Sequence, residues 1–131
     1  MASEALLQQQ VCDYLRMQYP NVIFRSDFAS GMKLSIGQAI KHKRLQSSRA
    51  WPDLFIVEPV EPYGYIGLFI ELKAVNIYKK DGSLLKNEHL AEQEACMQQL
   101  RERGYAATFA VGFEDAKQVI DTYLQEGKAR G

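Results

Sequence analysis

Apolar positions recur along the chain with two different periods, and each change of period marks a new element. From Glu4 to about Tyr19, Leu7, Val11 and Tyr14 or Leu15 recur every three or four residues, the stripe of an amphipathic helix. Ser3 is placed as its N-cap, and Pro20-Asn21 stop it. Val22 to Arg25 then reads as a short strand. Ser26 to Arg49 is polar and irregular, and Leu34, Ile36, Ile40 and Leu45 predict no more than a loose helix. Two apolar runs follow, Asp53 to Val57 and Tyr65 to Ala74, rich in aliphatic and aromatic residues and bounded by Pro or Gly, as strands are. A turn region, Glu58-Pro59-Val60-Glu61-Pro62, separates them. Asp81-Gly82 marks a tight turn. Asn87 caps a predicted helix over 88–103, with Leu90, Met97 and Leu100 inward and Gly104 as its stop. Tyr105 to Val111 is the last strand. A final helix over 114–125 turns Ala116, Val119, Ile120, Tyr123 and Leu124 inward, and the polar tail from Gly127 is expected to fray.

This order, helix, three strands, helix, strand, helix, predicts an α/β fold. The first three strands are close enough in sequence to meander. The helix after Lys73 is a crossover, so the last two strands should run parallel within one mixed sheet flanked by helices. At 131 residues, nearly half of them apolar, the chain is long enough for one domain and too short for two.

Sixteen basic and sixteen acidic residues balance, which removes any global electrostatic argument for nucleic acid and leaves local patches to make it. One such patch exists. Between Phe28 and Pro52 there is no acid, while Lys33, Lys41, Lys43, Arg44 and Arg49, with His42, concentrate positive charge suited to phosphate contact. No apolar stretch reaches membrane-spanning length and no signal-peptide pattern opens the chain, so a cytoplasmic protein without membrane contact is expected. Cys12 and Cys96 stand in helical patterns without metal-ligand spacing and are expected to be buried thiols.

Three charges sit inside the two central strands. Side chains alternate along a strand, so Phe69, Glu71 and Lys73 share one face. A carboxylate in an apolar strand is costly to desolvate unless a cation or a donor faces it. If the two strands pair antiparallel, Asp53 sits beside Glu71, and two carboxylates there make an oxygen-rich site suited to Mg²⁺ or Mn²⁺. Lys73 could hold a water or neutralise a phosphate. Glu4 aligns with the inward stripe of the first helix. Gln93 falls on the stripe of the crossover helix, where a buried amide must find partners.

Pro52-Asp53, then Glu71-x-Lys73, then a helix carrying Gln93, in αβββαβ order, resembles the PD-(D/E)xK nuclease superfamily with its restriction-endonuclease-like core. With an N-terminal-helix Glu and Pro-Asp-Leu, the chain looks more narrowly like the VRR-NUC family over about Glu4 to Gly112. It departs where that family has Gly two residues before the Pro, because Ala50 and then Trp51 stand here. The resemblance implies that residues 1–131 form a single nuclease domain, core about 4–112 and C-terminal helix 114–125. It implies that Asp53, Glu71 and the backbone carbonyl of Leu72 ligate Mg²⁺, with Mn²⁺ able to substitute, and that Glu4 reaches the ion directly or through water. Lys73 would orient the attacking water, and Gln93 would support it. Compact stand-alone VRR-NUC proteins resemble Holliday-junction resolvases. The expectation is therefore a homodimeric, structure-selective DNA endonuclease acting on branched DNA, with Lys33, Lys41, Lys43, Arg44 and Arg49 on the nucleic acid. The alternatives are a nuclease of flaps, nicks or ends, and a catalytically silent DNA-binding module of the same fold.

Overall fold

The structure is a computed structural model that describes residues 3–27 and 33–130. Helix α1 (Glu4–Gln18) begins where the Ser3 hydroxyl accepts the Leu6 N–H, and it turns Leu7, Val11 and Leu15 into the core. Each of these fully buried aliphatic side chains is worth about 1.5–3 kcal/mol of transfer free energy. Strands β1 (Ile23–Ser26), β2 (Leu54–Val57) and β3 (Leu68–Lys73) form an antiparallel meander, and β4 (Ala106–Val111) joins β3 in parallel, giving the order β1-β2-β3-β4. The crossover is helix α3 (Glu88–Glu102), capped by the Asn87 side chain and closed at Gly104, whose φ of +98° lies in the region that favours glycine. Connection length thus dictated strand direction, as the sequence implied.

Strand parity sorts the core into two layers. Leu54, Ile56, Leu68, Ile70 and Leu72 face α1 and helix α4 (Phe113–Glu126), where Ala116, Val119, Ile120 and Tyr123 are buried and Leu124 is partly so. The hydroxyls of Tyr14 and Tyr19 both donate to Asp121 Oδ1, at 2.5 and 2.7 Å, and fasten α1 to α4. On the other face, Phe69, Ala107 and Phe109 pack with Leu90, Met97 and Leu100 of α3. The β1/β2 half of that second face stays open among the described residues, with Ile23 and Val57, paired across the strands, both exposed. This is the mixed sheet flanked by helices expected of a restriction-endonuclease-like fold.

Four local expectations are corrected. The loose helix is a regular one, α2 (Ile36–Arg44), set by a capping box in which Ser35 and Gln38 bond reciprocally, although none of its residues is buried. Residues 28–32 of the stretch expected to be irregular lie outside the described residues. Strand β3 starts at Leu68 and not at Tyr65, because Tyr65 accepts the Val60 N–H and Ile66 donates to Gly104, so that segment is bonded elsewhere. The tail does not fray: Ala129 packs on the core and the Arg130 guanidinium grips Asp115. Cys12 and Cys96 are free and only half-buried.

Candidate active site

Asp53 immediately precedes β2, where Leu54 pairs with Ile70, so extending the antiparallel register by one residue sets Asp53 opposite Glu71. Two further bonds fix it. Its Oδ2 accepts the Leu72 N–H at 2.9 Å, and its backbone carbonyl accepts the Asp27 N–H at 2.7 Å, tying it to the end of β1. Every residue of β3 is buried, which excludes a half-solvated sheet carrying an exposed Glu/Lys pair. Glu71 is 4 % exposed, Lys73 7 % and Gln93 4 %.

These groups converge on one carboxyl. Gln93 Nε2 donates to Glu71 Oε2 at 2.9 Å, and Lys73 Nζ lies 3.7 Å from the same oxygen. Glu71 Oε1 is buried with no donor facing it. Burial, then the charge of Asp53, hold the Glu71 carboxyl well above the usual carboxylate range; Lys73 pulls the other way, a hydrogen bond with Asp53 raises it further, and Glu4 adds a smaller push. Two carboxyl groups this close require something positive between them, a proton or a cation.

The fit to a divalent ion follows from that pairing. Among the described residues no three His, Cys, Asp or Glu side chains gather at a point able to hold a metal. The protein would thus offer two hard carboxylates, Asp53 and Glu71, with the orphaned Glu71 Oε1 among the donors, and the Leu72 carbonyl beside them. This suits Mg²⁺, which is commonly held by one or two carboxylates while keeping waters and taking substrate phosphate oxygens. Glu4 is near enough to the pair for its charge to act on the Glu71 carboxyl. It starts α1, on the opposite layer, and its Oε2 makes a long 3.5 Å contact with the Ala74 N–H just past β3.

The basic stretch divides. Lys33 is exposed ahead of α2, and Lys41, Lys43 and Arg44 are exposed on it. Arg49 instead forms a two-bond pair with Glu92 of α3, at 3.0 and 2.7 Å. A cavity of about 510 Å³ opens on the uncovered half of the sheet, bounded by Arg25, His42, Gln46, Trp51, Asp53 and Phe55. Sequence pattern did not single out this aromatic surround. The available signal was parity: Phe55 follows Asp53 by two residues and Phe69 precedes Glu71 by two, so both rings share the face of the carboxylates.

No protein-family model matches the sequence, and no curated protein matches it. Among solved structures, a VRR_NUC domain protein is similar over 100% of this chain and 95% of its own, with a TM-score of 0.61 and 24% sequence identity. Asp53, Glu71, Lys73 and Gln93 thus lie together in a chain that has the fold of a VRR_NUC domain protein.

Proposed function

We propose that this protein is a divalent-metal-dependent deoxyribonuclease that hydrolyses phosphodiester bonds in branched DNA, working as a homodimer on four-way junctions. The observation that carries the reading is the pairing of half-buried Asp53 with buried Glu71, with the buried Lys73 Nζ 3.7 Å from Glu71. So many charges are not placed in a strand interior for stability, since each is costly to bury.

Asp53, Glu71 and the Leu72 carbonyl would hold the ion, Mg²⁺ or Mn²⁺ in its place. When bound, it would supply Lewis acidity at a phosphate oxygen and a more acidic water. The chain's own residues do the positioning. Gln93 fixes the Glu71 carboxyl through Oε2, while the buried Oε1 takes no hydrogen bond from the amide. Lys73, kept beside Glu71 in a dry strand, orients the attacking water through Nζ and offsets charge on the phosphate. Leu72 N–H locks the rotamer of Asp53. Glu4 adds negative charge at the strand end and would reach the ion directly or through water. Lys33, Lys41, Lys43 and Arg44 contact backbone phosphates. Arg49 joins them only by exchanging its Glu92 partner.

The test is cleavage of labelled four-way junction, 5′-flap and linear duplex side by side, with Mg²⁺ or EDTA. Paired symmetrical cuts in the junction alone support the proposal. Cutting of the flap or duplex instead keeps the chemistry and replaces the substrate. No metal-dependent cutting by folded protein leaves a DNA-binding module.

A further inference from the structure

Trp51, Phe55 and Phe69 form a continuous aromatic surface that begins at Asp53. Phe55 and Phe69 are stacked across β2 and β3, with ring centroids 4.2 Å apart and planes within 2°. Trp51 leans over Phe69 at 5.8 Å, and its indole N–H donates to Ser47 Oγ at 3.3 Å, which fixes the ring while 38 % of the residue stays exposed. Helix α3 covers Phe69 but not the strands beyond it. The 510 Å³ cavity is therefore walled by Trp51 and Phe55, has Asp53 in its lining, and has Arg25, Gln46 and the Asp27/His42 pair among its polar lining.

We infer that this cavity receives one unpaired nucleobase of the DNA, stacked on Trp51, from a nucleotide next to the phosphate that is cut. The inference rests on the nuclease reading for its second half, the link to the cut phosphate, and on the cavity for its first. An aromatic face is what every base can stack on, whatever its identity. Arg25 and Gln46 bring donors to the edge of that base. Lys41 and Lys43 on α2, the helix that also supplies His42 to the lining, carry charge opposite to the flanking phosphates. A paired base cannot enter such a cavity without leaving its stack, which costs a few kcal/mol in duplex and least where the base is already unpaired. The cavity thereby defines the substrate class as DNA with an unpaired or easily extruded nucleotide at the cut.

Trp51 is the single tryptophan of the chain, so its fluorescence reports on this cavity alone. The experiment titrates the protein, in EDTA, with a short oligothymidylate, an abasic strand of the same length and a matched duplex. Oligothymidylate should quench Trp51, and the other two should not. Trp51→Ala should weaken oligothymidylate binding roughly tenfold by anisotropy, and Trp51→Phe should restore most of it. Equal quenching by the abasic strand reduces the site to phosphate contact and overturns the inference. So does fluorescence that follows protein concentration in place of DNA, which would assign the surface to a second copy. A parallel Mg²⁺ assay separates the two readings. Quenching without cleavage of any substrate removes the nuclease and leaves the base site. Equal cleavage of matched and gapped duplex without quenching removes the base site and leaves the nuclease.

Discussion

Glu71 meets three side chains that each act on its proton differently. Gln93 donates to it, Lys73 favours its charge, and Asp53 opposes that charge; burial decides the balance towards the protonated form. A carboxyl raised in this way lends full stability below the unfolded value and loses it as pH climbs towards the folded value. Glu71→Gln, a neutral copy of the protonated form, should therefore match wild type near pH 4. In EDTA it should melt about 2–6 °C higher by pH 8, the size of a 1 kcal/mol relief in a domain of this length. Thermal melts across pH would show it, and a constant gap would contradict the assignment. The same variant should not cleave, and Asp53→Asn or Lys73→Ala should lose at least about 10²-fold in rate while staying folded. Alternation along β3 was enough to join Glu71 and Lys73, and the helical stripe was enough to find Gln93. Glu4 was harder to place, because a stripe gives the face of a helix and not how its first turn meets the end of a strand. The Arg49–Glu92 pair joins residues 43 apart and leaves no periodic trace.

Helix α2 shows where periodicity falls short. Ile36 and Ile40 recur at helical spacing, yet neither is buried, so the helix is specified by the Ser35/Gln38 capping box and not by a core. Its lysines hold nothing up. Neutralising Lys41, Lys43 and Arg44 together should leave the melting temperature within about 2 °C, as for other exposed substitutions. It should lower the slope of log affinity against log salt by about 2–3 for duplex arms. An unchanged slope in salt titrations would remove α2 from the DNA. The C-terminal tail errs in the other direction, since polar residues after a glycine cap read as frayed, and the clasp that holds them is tertiary. Arg130 keeps the Asp115 carboxyl below its usual range, against some opposition from burial, and the Val111 N–H assists. A lowered acid contributes stability above the unfolded value and loses it as pH falls through the folded one. Arg130→Ala should thus cost about 0.5–1 kcal/mol at pH 7, the range of partly exposed ion pairs, and progressively less as pH falls through the lowered Asp115 value. Denaturant melts at a series of pH values would measure this decline.

Strand order was legible because it depends on connection length: short links make β1 to β3 a meander, and the α3 crossover makes β4 parallel. The uncovered half of the sheet was not, because sequence gives the parity of Ile23 and Val57 but not the reach of α3 across them. The described residues of one copy bring together one such carboxylate pair at the sheet, whereas resolving a four-way junction needs cuts on two opposed strands. Two copies related by a twofold axis would supply both, and their symmetry would match that of the junction. Light scattering should then give twice the chain mass at micromolar concentration. Cleavage offers a sharper discrimination. A dimer cutting within one bound lifetime should convert the junction to paired cuts with no free nicked intermediate. Adding excess Asp53→Asn protein should form mixed dimers with one working site, and nicked junctions should accumulate in proportion. Copies acting independently would release nicked junctions from the wild-type protein alone, and the inactive protein would slow both cuts without changing their order.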